Sequence, residues 1–145
     1  MNLKQRSIAG FFIAVLALII LILRESIIAK GLYAILIQIL AVILMIWARV
    51  KFGFRSFHAA ADPTEGGLIT TGPYHYLRHP IYAAIIYFIW AGIFSHFSPL
   101  NILVGLIATA GLLVRIFAEE RLVIEKYPEY SGYALRTKRI IPFIF

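Results

Sequence analysis

The chain has 145 residues, room for one domain. Hydrophobic residues make up 61% and charged residues 14% of it, and mean hydropathy is +0.87, which excludes an ordinary soluble globular profile. The lack of cysteine excludes disulfides, thiol nucleophiles and cysteine-ligated metals, and a net charge of +7 fits basic flanks on anionic lipid better than a nucleic-acid surface.

Lys4 and Arg6 precede the first apolar run, Ser7 to Leu23. It ends at Arg24-Glu25 without a small-residue cleavage site, so it reads as a retained membrane helix rather than a signal peptide. A second run covers Gly31 to Ala48, a third Ile81 to Phe97, and a fourth Leu100 to about Ala118. Each is near the ~20 residues that cross a ~30 Å hydrocarbon core. Lipid leaves no partner for a bare backbone amide, so each is expected to be helical. The link from Arg24 to Lys30 is short and Ser98-Pro99 is a tight break. The expected fold is therefore an all-α integral membrane protein, with four transmembrane helices arranged as two hairpins in a single domain. A loop and a C-terminal amphipathic helix would form the site.

Twelve of the fourteen Lys and Arg residues fall before the first run, between the second and third, or at and after the end of the fourth. Only Arg24 and Lys30 fall on the other side. The positive-inside rule then predicts cytoplasmic termini and a cytoplasmic central loop. Residues 49–80 and 115–145 would meet on one face. Gly53, Asp62-Pro63 and Gly66-Gly67 break that loop in places.

Residues 71–82, TGPYHYLRHPIY, carry much of the polar and aromatic chemistry. Gly72-Pro73 makes a tight bend. Pro80 suits the first turn of a helix, which puts His79 near the N-cap and Tyr82 in the first turn. A helix N-terminus can hold a carboxylate or phosphate, with Arg78 and His79 as added donors. The plainer alternative is a cap with an arginine reaching headgroups and interfacial tyrosines. Arg115 and Glu119 share a helix face four residues apart, with Glu120 beside them. They make either an ordinary ion pair or a pairing of acids with a cationic ligand at the membrane boundary. Tyr127, Tyr130 and Tyr133 recur every three residues, as an interfacial belt or a lid. The terminal IIPFIF is expected to pack back on the bundle or dip into lipid. His58 and His75 read as loop and interfacial residues, and His96 falls on the far side. No metal-ligand spacing, P-loop or GxGxxG is present.

The order of these clusters, TTGPY-x-x-x-RHP-x-Y, then R-x-x-x-EE, Y-x-EY-x-x-Y and IPFI, resembles the isoprenylcysteine carboxyl methyltransferase family and the related phospholipid methyltransferases of membranes. The resemblance runs from about Gly66 to Ile144. It implies S-adenosyl-L-methionine as cofactor and methyl transfer to a lipophilic small molecule or lipidated substrate, with a carboxylate as the expected acceptor. Carried over, the cofactor region spans about 66–145. Leu68, Ile69, Tyr74, His79, Pro80, Ile81, Tyr82 and Glu119 would hold the cofactor. Arg115 would bind substrate, and Arg115, Glu119 and Glu120 are the candidate catalytic groups. Two departures stand out. Prenylcysteine enzymes are longer, and a glutamine of that family falls near Ala61 here.

Two other readings share these residues. Membrane sterol reductases show a similar RHP-x-Y block, a later acid pair and a tyrosine-rich tail, and they use NADPH, but they are normally much larger. A non-enzymatic membrane protein could bind partners or lipid through the basic face.

Overall fold

The computed structural model describes residues 2–53 and 67–145. The expectations placed on His58, Ala61, Asp62-Pro63 and Gly66 lie outside them. The described residues form five α-helices: α1 Leu3–Leu23, α2 Leu32–Phe52, α3 Pro80–Ser95, α4 Pro99–Lys126 and α5 Tyr130–Arg136. A 3-10 turn, Gly72–His75, leads into α3. No named strand occurs among the described residues; one isolated parallel bridge joins Leu77 to Lys138.

Local sequence explains the helix ends. Asn2 and Gln5 form a reciprocal capping box, with Gln5 N donating to Asn2 Oδ1 at 2.8 Å and Asn2 N to Gln5 Oε1 at 2.9 Å. Ser98 caps α4 by accepting from Asn101 N at 3.1 Å, and Pro99 takes the first helical position. Pro80 does the same for α3, with His79 as its N-cap.

Three helices, α1, α2 and α4, are long and apolar enough to cross a membrane. The expectation of four full spans holds only in part, because α3 has 16 residues, a rise of roughly 24 Å. It stops at His96, whose backbone N–H closes the last turn, and it starts at Pro80 as the sequence suggests, directly after Arg78 and His79 pair with the C-terminal segment. α4 runs on to Lys126 rather than ending near Ala118, so Arg115, Glu119 and Glu120 all lie within one continuous helix.

The main packing partners are not the chain neighbours that two simple hairpins would suggest. α1 packs chiefly on α4 and α2 on α3, while α3 and α4 touch more sparingly. Glycines explain the first pair. A Cβ on Gly111 would lie 2.7 Å from Gly10 O, so only glycine lets these two backbones approach. On the second pair, buried Gln38 of α2 donates to Ile27 O at 2.7 Å and Phe88 O at 3.0 Å and accepts from Ala29 N at 2.9 Å. A polar side chain within a membrane helix is thereby satisfied and pins the α1–α2 link to α3.

One core cluster, Ala17, Leu21, Ile89, Ile93, Val104 and Ala108, closes the bundle at the end holding the α1–α2 link and the α3–α4 turn. The other, including Leu77, Ala83, Ile86, Leu112, Ile116 and Ile140, lies toward the opposite end. Ile140 brings the C-terminal segment into that core, and the Tyr87 hydroxyl donates to its carbonyl. Of IIPFIF, Ile140 and Phe145 pack back on the bundle, while Ile141, Pro142, Phe143 and Ile144 are exposed.

Candidate functional site

The GPYHYLRHP segment is held in shape from both sides. Gly72 has φ +62, and a Cβ there would lie 2.9 Å from Lys51 Cγ, so the bend needs glycine on two counts. Tyr133 of α5 donates its hydroxyl to Tyr74 O at 2.5 Å. Arg78 N donates to Lys138 O at 2.6 Å and His79 N to Arg139 O at 3.0 Å. The residues ahead of α3 therefore run strand-like beside residues 138–139. This is the physical reason that a short polar stretch can be carried inside an apolar bundle.

Two adjacent acids of α4 meet this segment. Glu119 Oε1 pairs with Arg115 Nε at 2.9 Å and accepts from the Tyr82 hydroxyl at 2.5 Å. Arg115 Nε also donates to the Tyr82 oxygen at 2.6 Å. The Arg115 guanidinium lies over the Phe11 ring at 5.3 Å and the Tyr82 ring at 5.8 Å, so its charge is stabilised by aromatic faces as well. Arg115 is 4% exposed. The i,i+4 pair expected as the plainer reading is present, but it is buried, where it is screened far less than a surface pair.

Glu120 serves a different network. Its Oε1 pairs with Arg78 Nη1 at 2.9 Å and His79 Nε2 at 3.3 Å, and its Oε2 with Arg139 Nη2 at 3.0 Å. The Arg139 guanidinium also lies over the rings of Phe117 and Phe145, at 5.0 and 5.2 Å. His79 stacks on Tyr82 with ring centroids 5.7 Å apart, and its Nδ1 lies 3.9 Å from Glu119 Oε2.

The tyrosines around the site stay protonated. Burial pushes the Tyr133 phenol up to about 12, and it raises Tyr74 and Tyr130 as well. Each is therefore a hydrogen-bond donor at neutral pH and not a base.

These groups line one cavity of about 310 Å³. Every residue expected from the sequence lies on its wall: Leu68, Ile69, Tyr74, His79, Pro80, Ile81, Tyr82, Arg115, Glu119 and Glu120. Tyr127, Tyr130 and Tyr133 join them, although not on one helix as their spacing suggested. Tyr127 is the C-cap of α4, and only Tyr130 and Tyr133 lie on the seven-residue α5. His75 is exposed outside the lining, and His96 bonds to Ile28 O at the far end.

The sequence reading missed the wall that α1 contributes, including Phe11, Val15 and Leu18, and also Arg49 and Phe52 of α2. No local signal distinguishes a cavity-facing apolar residue of a membrane helix from a lipid-facing one. The role of Arg139 was missed too, although Lys138-Arg139 ahead of an apolar tail was a visible cue. Among the described residues no cluster of three or more metal-ligating side chains occurs.

One end of the cavity carries acids, cations and tyrosines; the other, between α1, α3 and α4, is apolar. This arrangement can hold a charged, partly planar ligand beside a lipophilic one. No curated relative and no solved structure matches the chain. The family model described as phospholipid methyltransferase matches residues 26–130. That range contains α2, α3, α4 and the RHP segment, and it leaves out α1 and nearly all of α5 and the tail. The chain belongs to the phospholipid methyltransferase family, a family of membrane methyltransferases.

Proposed function

We propose that the protein is an S-adenosyl-L-methionine-dependent methyltransferase acting on a lipophilic acceptor at the membrane boundary, with a carboxylate as the methylated group. The observation that carries this reading is one cavity in which Glu119, Arg115 and the tyrosine-rich segments border an apolar slot between helices. At about 310 Å³ it is at the small end of ligand sites. That size suits a smaller pair of ligands than NADPH with a sterol.

The residues present fit the cofactor. It would bring a sulfonium and an ammonium, and Glu119 offers a carboxylate whose side chain is 19% exposed at the wall. Leu68, Ile69, Tyr74, Ile81 and Tyr82 offer apolar and ring surface, and the His79-Pro80 turn a helix start for an anionic end. Bound S-adenosylmethionine supplies an electrophilic methyl group.

The chain's own residues would then do three things. Arg115 orients the acceptor carboxylate from a fixed position, since Glu119, Tyr82 and Phe11 hold its guanidinium. Glu119 offsets positive charge near the cofactor. The aromatic walls exclude water from the displacement. A carboxylate is ionised at neutral pH, so no proton need be removed. An amine acceptor would need a base and would meet Arg115. The positive flanks favour the cytoplasmic face for this end of the bundle.

The test is titration calorimetry of the detergent-purified protein, with S-adenosylhomocysteine in one cell and NADPH in another. Binding of the first alone is expected. Binding of NADPH alone would replace this reading with the reductase, and binding of neither would favour a non-enzymatic role, provided the sample is shown to be folded. Lipophilic acids and lipophilic amines, offered with labelled cofactor, then separate the two acceptor chemistries.

A further inference from the structure

Residues 140–145 turn back along the side of the bundle. The Tyr87 hydroxyl donates to Ile140 O, and Ile140 packs with Ala83 and Ile86 of α3 and with Leu112 and Ile116 of α4. Ala83 and Ile86 lie roughly 5 and 9 Å along α3 from Pro80, so the segment sits where headgroups give way to hydrocarbon. It is not helical there. Ile140 N and Ile141 N donate to Phe145 O at 2.8 Å, and Ile144 N and Phe145 N to Ile141 O at 3.2 and 3.1 Å, while Pro142 has no donor. Backbone groups at that depth find little water, and these are taken inside the turn. The tip is strained: Phe143 has φ +67, which a bulky residue rarely adopts, and it is 86% exposed. Ile141 and Ile144 are exposed beside it. None of residues 136–145 lines the cavity.

We infer that this turn and the two cations before it form a binding site for an anionic phospholipid of the surrounding bilayer, separate from the cavity. Acyl chains cover Ile141, Phe143 and Ile144, and the phosphate lies against Arg136 and Lys138. Both cations are exposed, and neither has a carboxylate partner among the described residues, unlike Arg139, which Glu120 holds. Lys138 precedes Ile140 by two extended residues, ~7 Å, which puts its charge on the headgroup side of the apolar tip. Cations toward the headgroups and an apolar tip toward the chains match the polarity of such a lipid. The same segment reaches the site. Lys138 O and Arg139 O accept from Arg78 N and His79 N, and Arg139 pairs with Glu120. Lipid held at the turn therefore steadies the residues that lead into α3. None of this depends on which reaction the cavity carries out.

The chain has no cysteine, so Phe143→Cys accepts a single environment-sensitive fluorophore. The labelled protein is placed in nanodiscs of phosphatidylcholine with a minority of phosphatidylglycerol. Bromine is carried on the acyl chains of the phosphatidylglycerol, or of an equal amount of the phosphatidylcholine. Each cation near the surface favours the anionic lipid about fivefold, so the two together favour it about twenty-five-fold. Expected are blue-shifted emission and quenching several times stronger when the bromine is on phosphatidylglycerol. Arg136→Gln with Lys138→Gln should remove that preference. Lys4→Gln with Arg6→Gln, the same charge taken from α1, should keep it. Water-like emission without quenching, or equal quenching by the two lipids, overturns the inference. So does a preference that survives the Arg136 and Lys138 changes, or one that the α1 pair abolishes equally. Amide hydrogen exchange of Leu77–His79 in the parent needs no variant. It is expected to slow when phosphatidylglycerol is added to phosphatidylcholine discs, and equal rates overturn the link to the site.

Discussion

Glu119 and Glu120 are neighbours in the chain but belong to separate ion networks, and His79 stands between them, with Nδ1 3.9 Å from Glu119 and Nε2 3.3 Å from Glu120. Glu119 pairs with Arg115 on its own helix, and Glu120 pairs with Arg78 and Arg139 from two other segments. Both acids line the cavity, but Glu119 does so with a partner from its own helix, while Glu120 also ties the RHP segment and the C-terminal tail to α4. Two adjacent carboxylates in one apolar bundle are tolerable because each has its own cations.

Glu120→Gln is predicted to act on stability. It leaves Arg78 and Arg139 without their common carboxylate in a site where Glu120 is 8% exposed. Breaking such a buried arrangement costs about 3 kcal/mol. Thermal unfolding in detergent should show a clear fall in midpoint. An unchanged midpoint would mean that Glu120 is not the tie between these segments.

Glu119→Gln is predicted to act on the cofactor instead. Glutamine keeps the size and can still accept from Tyr82, so the fold should persist. The lost charge should weaken S-adenosylhomocysteine binding about tenfold, on the order of 1.4 kcal/mol. Calorimetry beside an unfolding curve checks both halves; equal affinity in variant and parent would remove Glu119 from the proposed pocket.

Arg115→Ala is predicted to lower turnover about a hundredfold or more, the scale of losing a charged group that orients an acceptor. Cofactor affinity should change only several-fold, because Glu119 keeps the Tyr82 hydroxyl as a partner. A normal maximal rate with weakened cofactor binding would reverse the two assignments.

Alkaline stability should report Tyr133. Its folded pKa is raised to about 12 by burial, above the ordinary value of 10. The folded state thus holds the proton more tightly than the unfolded chain does. The resulting stabilisation is complete below pH 10 and is lost as pH climbs toward 12. Tyr133→Phe should flatten that loss and also remove the bond to Tyr74 O. Identical pH profiles from 9 to 12 for the two proteins would contradict this linkage.

Gly111→Val should be among the most damaging substitutions away from the site. Its Cβ would lie 2.7 Å from Gly10 O, a backbone atom that cannot swing aside. Overpacking of this kind costs about 3 kcal/mol. The expected result is poor recovery of folded protein, while Ala110→Val one residue earlier, exposed, should be mild.

Much was legible in the sequence because membrane helices obey one-dimensional rules. Apolar run length, proline at the starts of α3 and α4, and the clustering of TGPYHYLRHPIY and R-x-x-x-EE are all local patterns. Residues brought near one another by a helix start or an i,i+4 spacing can be placed without knowing the fold.

Tertiary structure decided the rest. Only packing paired α1 with α4 across the chain and brought Arg78 and Arg139 from two other segments onto Glu120. Only packing turned Phe11, Val15 and Leu18 toward a cavity. In a bilayer every side of a helix can be apolar, so hydrophobicity carries no record of which side meets lipid, a neighbour or a ligand. That choice is made by where two glycines let backbones touch and where a buried ion needs its counter-ion.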